Sequence, residues 1–493
     1  SLAGSAMDPR PLVSVDELWA WQPPSRSLCE TLAMNVATPV EEEEVGDDGC
    51  LPPRPTAVPH IHALRPGPPT PHHHPQLLVC HDYKGDFPEC ERWDGCDPKE
   101  CAPFLYTHWW HIDVFCYFGH KLVTIPPPSY TSIAHRHGVR VLGTVIFEHD
   151  AGKEALSSMI ATEDSRLRTI NALCQIMRTW NFDGFLFNVE VEIEVREAPV
   201  LINFLEQLKA ALHLDNHNAK LIWYDAVCTD GKLEWQNTIN DRNRAFYYAC
   251  DGIFLNYGWR MTDLENCRFN SGPDTVFVGI DVYGRSGGKA GWNCQEPMTK
   301  ILRKNLSVAL FAPGWAVEEN PDVDTTPAAD RGSPECNSFR FWSGLSEVMD
   351  SRAIDFLPIT TTFKNGYSQD GKWFRLRDMD IMPHLALTKK ELIPTEHGLL
   401  IKNPGIHVIF RVQLESVPDL RVKIRSEGGG SVKILLNRRE MDLDRLEDDN
   451  TMVFKPSRSD IFKIRGIFVA TTEPDTLLTY FEAYEVEVEK CLD

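Results

Sequence analysis

The sequence predicts an α/β chain: a (β/α)8 TIM barrel followed by a C-terminal antiparallel β-sandwich domain. Three observations support this reading. Eight short apolar segments, rich in β-branched and aromatic residues, recur about every 25 to 45 residues. Most of the stretches between them carry helical periodicity, and strands alternating with helices imply a parallel sheet. Polar and aromatic residues also gather at the C-terminal ends of the apolar segments, the face where such a barrel builds its site.

The elements follow in order. An N-terminal segment, residues 1–76, holds one helix candidate, SVDELWAWQ, whose Ser14 and Glu17 have the spacing of a capping box. The acidic run Glu41–Glu44 and nine prolines between Pro52 and Pro75 leave too little apolar side chain to order the chain. Residues 36–76 are therefore expected to be a mobile insertion. The barrel is expected over 77–375. Its first four strands read LLVCHDY (77–83), HIDVFCYF (111–118), VRVLGTVIF (139–147) and GFLFNVEVEIE (184–194). The other four read KLIWYDAV (220–227), GIFLNYGW (252–259), TVFVGIDVYG (275–284) and SVALFAPGW (307–315). Among the connecting helices, one places Leu167, Ile170, Leu173, Cys174 and Met177 on one stripe, and APVLINFLEQLKAALHL is similarly amphipathic. No G-x-G-x-x-G follows the first strand, which argues against an open dinucleotide-binding sheet. Over 376–493, segments such as GIHVIFRVQLE and YFEAYEVEVE alternate with period two between turn-rich joints. The sandwich they predict is expected to pack on the barrel, with a sugar-binding module as the alternative.

Composition limits the partners. The formal net charge is −21. Nucleic acid and anionic membranes need a basic footprint, so neither is expected. No apolar run reaches the length that spans a bilayer, and the N-terminal residues lack a basic-then-apolar signal pattern. The fourteen cysteines are spread thinly, several inside strand-like runs (Cys80, Cys116, Cys174), as reduced, buried thiols are. A cytoplasmic location is expected. Cys90, Cys96 and Cys101 lack a C-x-x-C pair and read as part of an insertion loop, and the His72–His74 triplet sits among prolines. No metal or cofactor is expected, and nothing in the sequence speaks to oligomeric state.

The candidate chemistry lies at the strand ends. Asp82, Tyr83, Tyr117, Glu148, Asn188 and Glu190 end the first four strands; Tyr224, Asp225, Asn256, Tyr257, Asp281, Tyr283 and Trp315 end the others. In the fourth, Asn188, Glu190, Glu192 and Glu194 alternate with Val189, Val191 and Ile193, so period two puts the polar groups on one face. Asn188 and Glu190 stand about 7 Å apart along such a strand. Glu190 is placed where burial raises a carboxyl's pKa enough for general-acid work. Glycosidases normally use two carboxylates. In substrate-assisted catalysis the 2-acetamido oxygen of a GlcNAc unit attacks its own anomeric carbon instead, which needs one carboxylic acid and one polar group to orient the acetamide. An Asn two residues before a Glu meets that need, although N-x-E alone is common.

The wider sequence is recognisable. VTIPP (123–127), AHRHGVRVLGT (134–144), FDGFLFNVE (182–190), LIWYDAV (221–227), DGIFLNYGWR (251–260) and VALFAPGW (308–315) together resemble glycoside hydrolase family 85, the cytosolic endo-β-N-acetylglucosaminidases. The blocks run in order from about residue 77 to 375. The resemblance implies hydrolysis of the GlcNAc-β-1,4-GlcNAc bond in the core of N-linked glycans, leaving one GlcNAc on the protein. The mechanism implied is retaining and passes through an oxazoline, with a capacity for transglycosylation. Glu190 matches the general acid/base, Asn188 the residue that holds the acetamide, and Tyr224 a tyrosine that contacts it. Trp235 and Trp259 match aromatics of the substrate cleft, and Asn256, Tyr257, Asp281 and Trp315 are expected to join them. Substrates would be N-glycans, glycopeptides, glycoproteins and free oligosaccharides.

Two other readings stand beside this one: a two-carboxylate retaining glycosidase using Glu190 with Asp225 or Asp281, and a non-catalytic glycan-binding barrel. The unbroken alternation through Val191–Glu194 also suggests that the fourth strand runs on to Glu194, with Glu192 and Glu194 raising the pKa of Glu190. His135, Arg136 and His137 precede the third strand, opposite the mouth, and are expected to be structural.

Overall fold

The computed structural model describes residues 9–23, 74–85, 88, 91, 104, 106–270, 272–285, 291–319, 337–364, 368–369, 372–373, 380–385, 391–415, 417, 419–428, 430–448, 450–457 and 463–486. The chain divides into two compact units, residues 1–93 with 112–318 and residues 94–111 with 319–493. The acidic and proline-rich part of the insertion, His72, His73, Cys90, Cys96 and Cys101 lie outside the described residues.

The first unit is the barrel. Its strands are β1 (Leu77–His81), β2 (Val114–Tyr117), β3 (Arg140–Glu148), β4 (Gly184–Glu190), β5 (Lys220–Tyr224), β6 (Gly252–Leu255), β7 (Val276–Asp281) and β8 (Ser307–Phe311). Each pairs in parallel with the next, and β8 pairs with β1, so the sheet closes on itself. All eight predicted segments form these strands. A short strand, Val123–Thr124, lies antiparallel to β3.

Strand parity decides what faces the axis. Leu78, Cys80, Val114, Cys116, Leu142, Ile146, Leu186, Ile222, Tyr224, Phe254, Phe277, Ala309 and Phe311 form one buried inner cluster. Burying an aliphatic side chain of this kind contributes roughly 2 kcal/mol. Phe187 and Trp223 have the opposite parity and pack outside the barrel: the Phe187 ring lies tilted against Phe204 at 6.0 Å, and Trp223 stacks on Phe246 at 4.3 Å. Each strand thus carries an inward set and an outward set two residues apart. Gly184 opens β4 with φ +127, where a Cβ would meet the Lys220 carbonyl oxygen at 2.0 Å; the β4–β5 contact requires glycine there.

Helix α1 (Val15–Ala20) forms where Ser14 was read as a cap: the Ser14 side chain accepts from the Glu17 amide at 3.2 Å. The reciprocal arm differs, since Glu17 accepts from the amide of Val13 at 2.8 Å, one residue earlier than in a capping box. In the helix Glu163–Trp180 the predicted stripe needs one correction. Ile170, Leu173, Cys174 and Met177 are buried, but Leu167 is 49% exposed. The buried arc centres on Leu173, and Leu167 sits about 120° round from it at 100° per residue. In the helix Glu197–Asp215, Leu201, Phe204, Leu205, Leu208 and Leu212 are buried, as the pattern predicts.

The N-terminal face of the barrel holds a buried polar cluster. His135 Nε2 meets Asp183 at 2.6 Å, and Asp183 also accepts from the Val141 amide at 3.0 Å and from Asn216 Nδ2 at 3.0 Å. These bonds tie the starts of β3, β4 and β5 together, which gives His135 the structural position expected of it.

Among its described residues the second unit contains two larger antiparallel sheets, beside the short antiparallel pair 368–369 with 372–373. One orders 392–394, 399–401, 476–485, 420–427, 451–455 and 442–448, with 359–361 also paired to 476–485; the other orders 405–415, 463–471, 432–436 and 439–440. Ile409, Ile434 and Ile467 from one sheet join Val422, Ile424 and Phe481 from the other in a single buried cluster. That is a sandwich core. The unit boundary falls after residue 318, N-terminal to the expected 375. Barrel closure is complete at Phe311, and Ile359–Thr361 already pairs with Ala483–Phe481.

No described helix is long and apolar enough to cross a membrane. The described cysteines Cys80, Cys116, Cys174, Cys228, Cys250, Cys267 and Cys294 are buried and form no disulfide.

Candidate active site

The C-terminal mouth of the barrel opens into a cavity of about 370 Å³. Seven of the expected site residues line it: Asn188, Glu190, Tyr224, Trp235, Asn256, Tyr257 and Asp281. Cys80, Asp82, Phe118, His120, Glu148, Leu186, Phe254, Arg285 and Phe311 complete the wall. Trp259 and Trp315 are not part of it. The Trp259 indole instead donates to the Gly279 carbonyl at 2.9 Å, and Trp315 packs edge-on to Trp292 at 5.4 Å.

Parity explains the membership. On β4, Leu186, Asn188 and Glu190 share the inward phase; on β3 the same phase runs through Leu142, Thr144 and Ile146 to Glu148. Glu148 and Glu190 are register partners, so their carboxyls stand side by side at the rim. The fourth strand ends at Glu190 rather than at Glu194. Beyond it Ile193 bonds through its amide to the Gly231 carbonyl at 2.9 Å, and Glu194 accepts an ion pair from Arg196 at 2.6 Å. Glu192 and Glu194 point to solvent. The charge beside Glu190 is therefore Glu148.

The electrostatics follow from that placement. Burial is the main cause that pushes the Glu190 carboxyl up to about 7, followed by the charge of Glu148 and a hydrogen bond to it; His120 and a hydrogen bond from Asn188 act the other way. Glu148 is held below the usual carboxylate range, first by its hydrogen bond with His120, whose Nδ1 lies 3.1 Å from Oε2. Asn188 is 4% exposed, and its Oδ1 is buried with no hydrogen-bond partner. An unpaired buried acceptor costs about 1–3 kcal/mol, which makes it a ready receptor for a ligand N–H. Tyr224 donates from its hydroxyl to Asn256 Oδ1 at 3.1 Å, and burial drives its phenol far above the usual range.

Asp225 has the outward parity of its strand. Its carboxylate accepts from the amides of Gln236 (3.1 Å) and Asn237 (2.7 Å) and from Asn243 Nδ2 (2.9 Å). It thereby clamps the loop that carries Trp235, which is 40% exposed at the cavity edge. Asn237 extends the clamp, accepting at Oδ1 from the Gly258 amide at 2.8 Å. Asp281 lines the cavity but is occupied by Arg285, with Nε at 3.2 Å, and by the backbone amides of Tyr283 and Arg285. Tyr257 reaches the wall because residue 279 is glycine: a Cβ there would meet the Tyr257 ring at 2.7 Å.

Sequence reasoning names Glu148 and Asp82 among the polar strand ends without giving them a role, and it leaves His120 and Arg285 out. Glu148 and Asp82 carry the inward parity that marks Asn188 and Glu190, so period two applied to every strand, rather than to the fourth alone, finds them. The positions of His120 and Arg285 on loops leave no such signal. No described group of three or more His, Cys, Asp or Glu side chains is placed to hold a metal.

The sequence model of glycosyl hydrolase family 85 matches residues 90–371, more than half of the chain. Cytosolic endo-beta-N-acetylglucosaminidase from Gallus gallus is 33% identical over 388 residues, covering 76% of this chain and 48% of that protein. Cytosolic endo-beta-N-acetylglucosaminidase 2 from Arabidopsis thaliana is 42% identical over 248 residues, covering 50% of this chain and 35% of its own length. The chain thus spans between a third and a half of these curated relatives. The glycoside hydrolase domain of Endo-D from Streptococcus pneumoniae R6 shares the fold, with a TM-score of 0.65 and 17% identity over 98% of this chain and 84% of that one.

Proposed function

We propose, from the premise that this chain belongs to glycosyl hydrolase family 85, that it is an endo-β-N-acetylglucosaminidase. It cleaves the GlcNAc-β-1,4-GlcNAc bond in the core of N-linked glycans and leaves one GlcNAc on the peptide. Glu190 gives its proton to the leaving oxygen. The acetamide of the bound GlcNAc attacks C1, with its N–H donated to Asn188 Oδ1 and its oxygen steered by Tyr224. The acetamide keeps its N–H, so the intermediate is the protonated oxazoline, and it opens when Glu190, now a carboxylate, takes a proton from the attacking water, with the configuration at C1 retained. A sugar acceptor in place of water gives transglycosylation.

The observation that carries this reading is the buried, unpaired Oδ1 of Asn188 beside a raised carboxyl. A two-carboxylate mechanism with Asp225 or Asp281 finds less support, because hydrogen bonds and an ion pair already occupy both groups. Trp235, Asn256, Tyr257 and Asp281 are read as substrate contacts; Trp259 and Trp315 are read as supports behind the mouth. The substrates are N-glycans on peptides and proteins, and free oligosaccharides of the same core. As its relatives' names say of them, the protein acts in the cytosol.

Mass spectrometry of an N-glycopeptide after incubation tests the assignment. A peptide retaining one GlcNAc is expected; a bare or unchanged peptide overturns it.

A further inference from the structure

We propose that Glu148, tied to His120, is the positioning residue that keeps the acid proton on Glu190 and makes Glu190 the stronger base in the second half of the reaction. This inference rests on reading Glu190 as the general acid/base.

Glu148 ends β3 and Glu190 ends β4, opposite each other in register on strands of the same inward phase. Adjacent strands lie about 4.8 Å apart, close enough for two carboxyls in register to share one hydrogen bond, and each carboxyl shifts the titration of the other. Such a bond needs one group protonated and the other ionised. The geometry assigns the roles: His120 Nδ1 contacts Glu148 Oε2 at 3.1 Å, and His149 follows Glu148 in the chain, so the charge belongs on Glu148. The proton is left on Glu190.

The other groups facing this pair do not compete for the charge. From β1 comes Cys80, from just past its end Asp82, from β5 Tyr224 and from the loop after β6 Tyr257. From β7 comes Asp281, whose charge is offset by Arg285 at 3.2 Å. Asn188, on β4 itself, carries no charge and lowers the Glu190 carboxyl.

The pair serves both half-reactions. In the first, the Glu190 O–H breaks and its proton passes to the glycosidic oxygen, while the C1–O bond breaks and the acetamide oxygen bonds to C1. Two carboxylates then stand side by side, which like-charge repulsion disfavours. In the second, an O–H of the attacking water breaks, its proton returns to Glu190 and its oxygen bonds to C1 as the C1–O bond of the protonated oxazoline (oxazolinium), which has kept the acetamide N–H, opens. Repulsion from Glu148 assists that return.

The test is the pH profile of kcat/KM on a glycopeptide for the wild type and for Glu148→Gln, which keeps shape and hydrogen-bonding reach but removes the charge. The alkaline limb is expected to move to lower pH by about one unit or more, and Glu148→Asp is expected to restore much of it. A folded, active Glu148→Gln enzyme with an unmoved limb overturns the inference, since a merely structural Glu148 would give that result. Infrared difference spectra of the wild type against Glu190→Gln supply a second readout that needs no substrate and no Glu148 variant. A protonated-carboxyl band that is lost in Glu190→Gln should titrate near neutral pH; titration in the ordinary carboxyl range overturns the inference. A wild type without glycopeptide activity but with this neutral titration would sink the endoglycosidase reading and leave the carboxyl pair standing.

Discussion

Asn188 acts on the Glu190 carboxyl, lowering it against the upward pull of burial, while its own Oδ1 stays buried without a partner. The two residues occupy successive inward positions of β4, so one strand delivers both the acid and the group that orients the acetamide.

Replacing Glu190 by Gln removes the proton donor and leaves the shape. Glycan release is expected to fall on the order of 10²–10⁴-fold, the usual contribution of a general acid. Steady-state kinetics on a glycopeptide measure it, and a loss under tenfold would place the acid elsewhere.

The same substitution should stabilise the fold at alkaline pH. Glu190 has its folded pKa raised to about 7. Its contribution to stability is therefore fully present below the ordinary carboxyl value and is lost as the pH rises through about 7, where the folded state must hold a desolvated charge. Glu190→Gln escapes that loss. At pH 8 it should be more stable than the wild type by roughly 1–3 kcal/mol, and at pH 4 equally stable. Denaturant titrations at the two pH values read the difference directly, and equal stability at both removes the burial argument.

Activity should share this dependence. The first half-reaction needs Glu190 protonated, so kcat/KM is expected to decline above about pH 7. A rate that holds to pH 9 would contradict the acid role.

Asp225 is expected to act through the Trp235 loop. Asp225→Asn replaces an acceptor with a donor facing the amides of Gln236 and Asn237 or the amide of Asn243. Stability should fall by about 2–4 kcal/mol, the range for disrupting a buried hydrogen-bonded charge. KM should rise more than kcat falls, since Trp235 loses its support. A pure kcat effect with unchanged stability would instead make Asp225 the second carboxylate.

Much of the fold was legible because barrel strands announce themselves as apolar runs: LLVCH, VLGTVIF and GFLFN carry continuous burial on both faces. The pair Asn188–Glu190 was legible for the same reason, as polarity interrupting such a run. The end of β4 was not. Val191 and Ile193 are buried like strand residues, yet the backbone leaves the sheet there, and the Ile193 amide bonds to Gly231 on a loop about forty residues on. Charge misled in the same place: Glu192 and Glu194 are near Glu190 in sequence, whereas Glu148 is near it in space. Asp225 illustrates the reverse error. It neighbours Tyr224, but one step along a strand turns a side chain to the other face.

The substrate-assisted pair is tested most directly by offering a synthetic glycan oxazoline as donor to the wild type and to Asn188→Ala, with a GlcNAc-peptide as acceptor. Asn188→Ala should lose hydrolysis of the natural glycopeptide yet still consume the oxazoline, because the step that Asn188 assists is already complete in that donor. If neither enzyme form consumes the oxazoline while the wild type cleaves glycopeptide, the reaction does not pass through that intermediate.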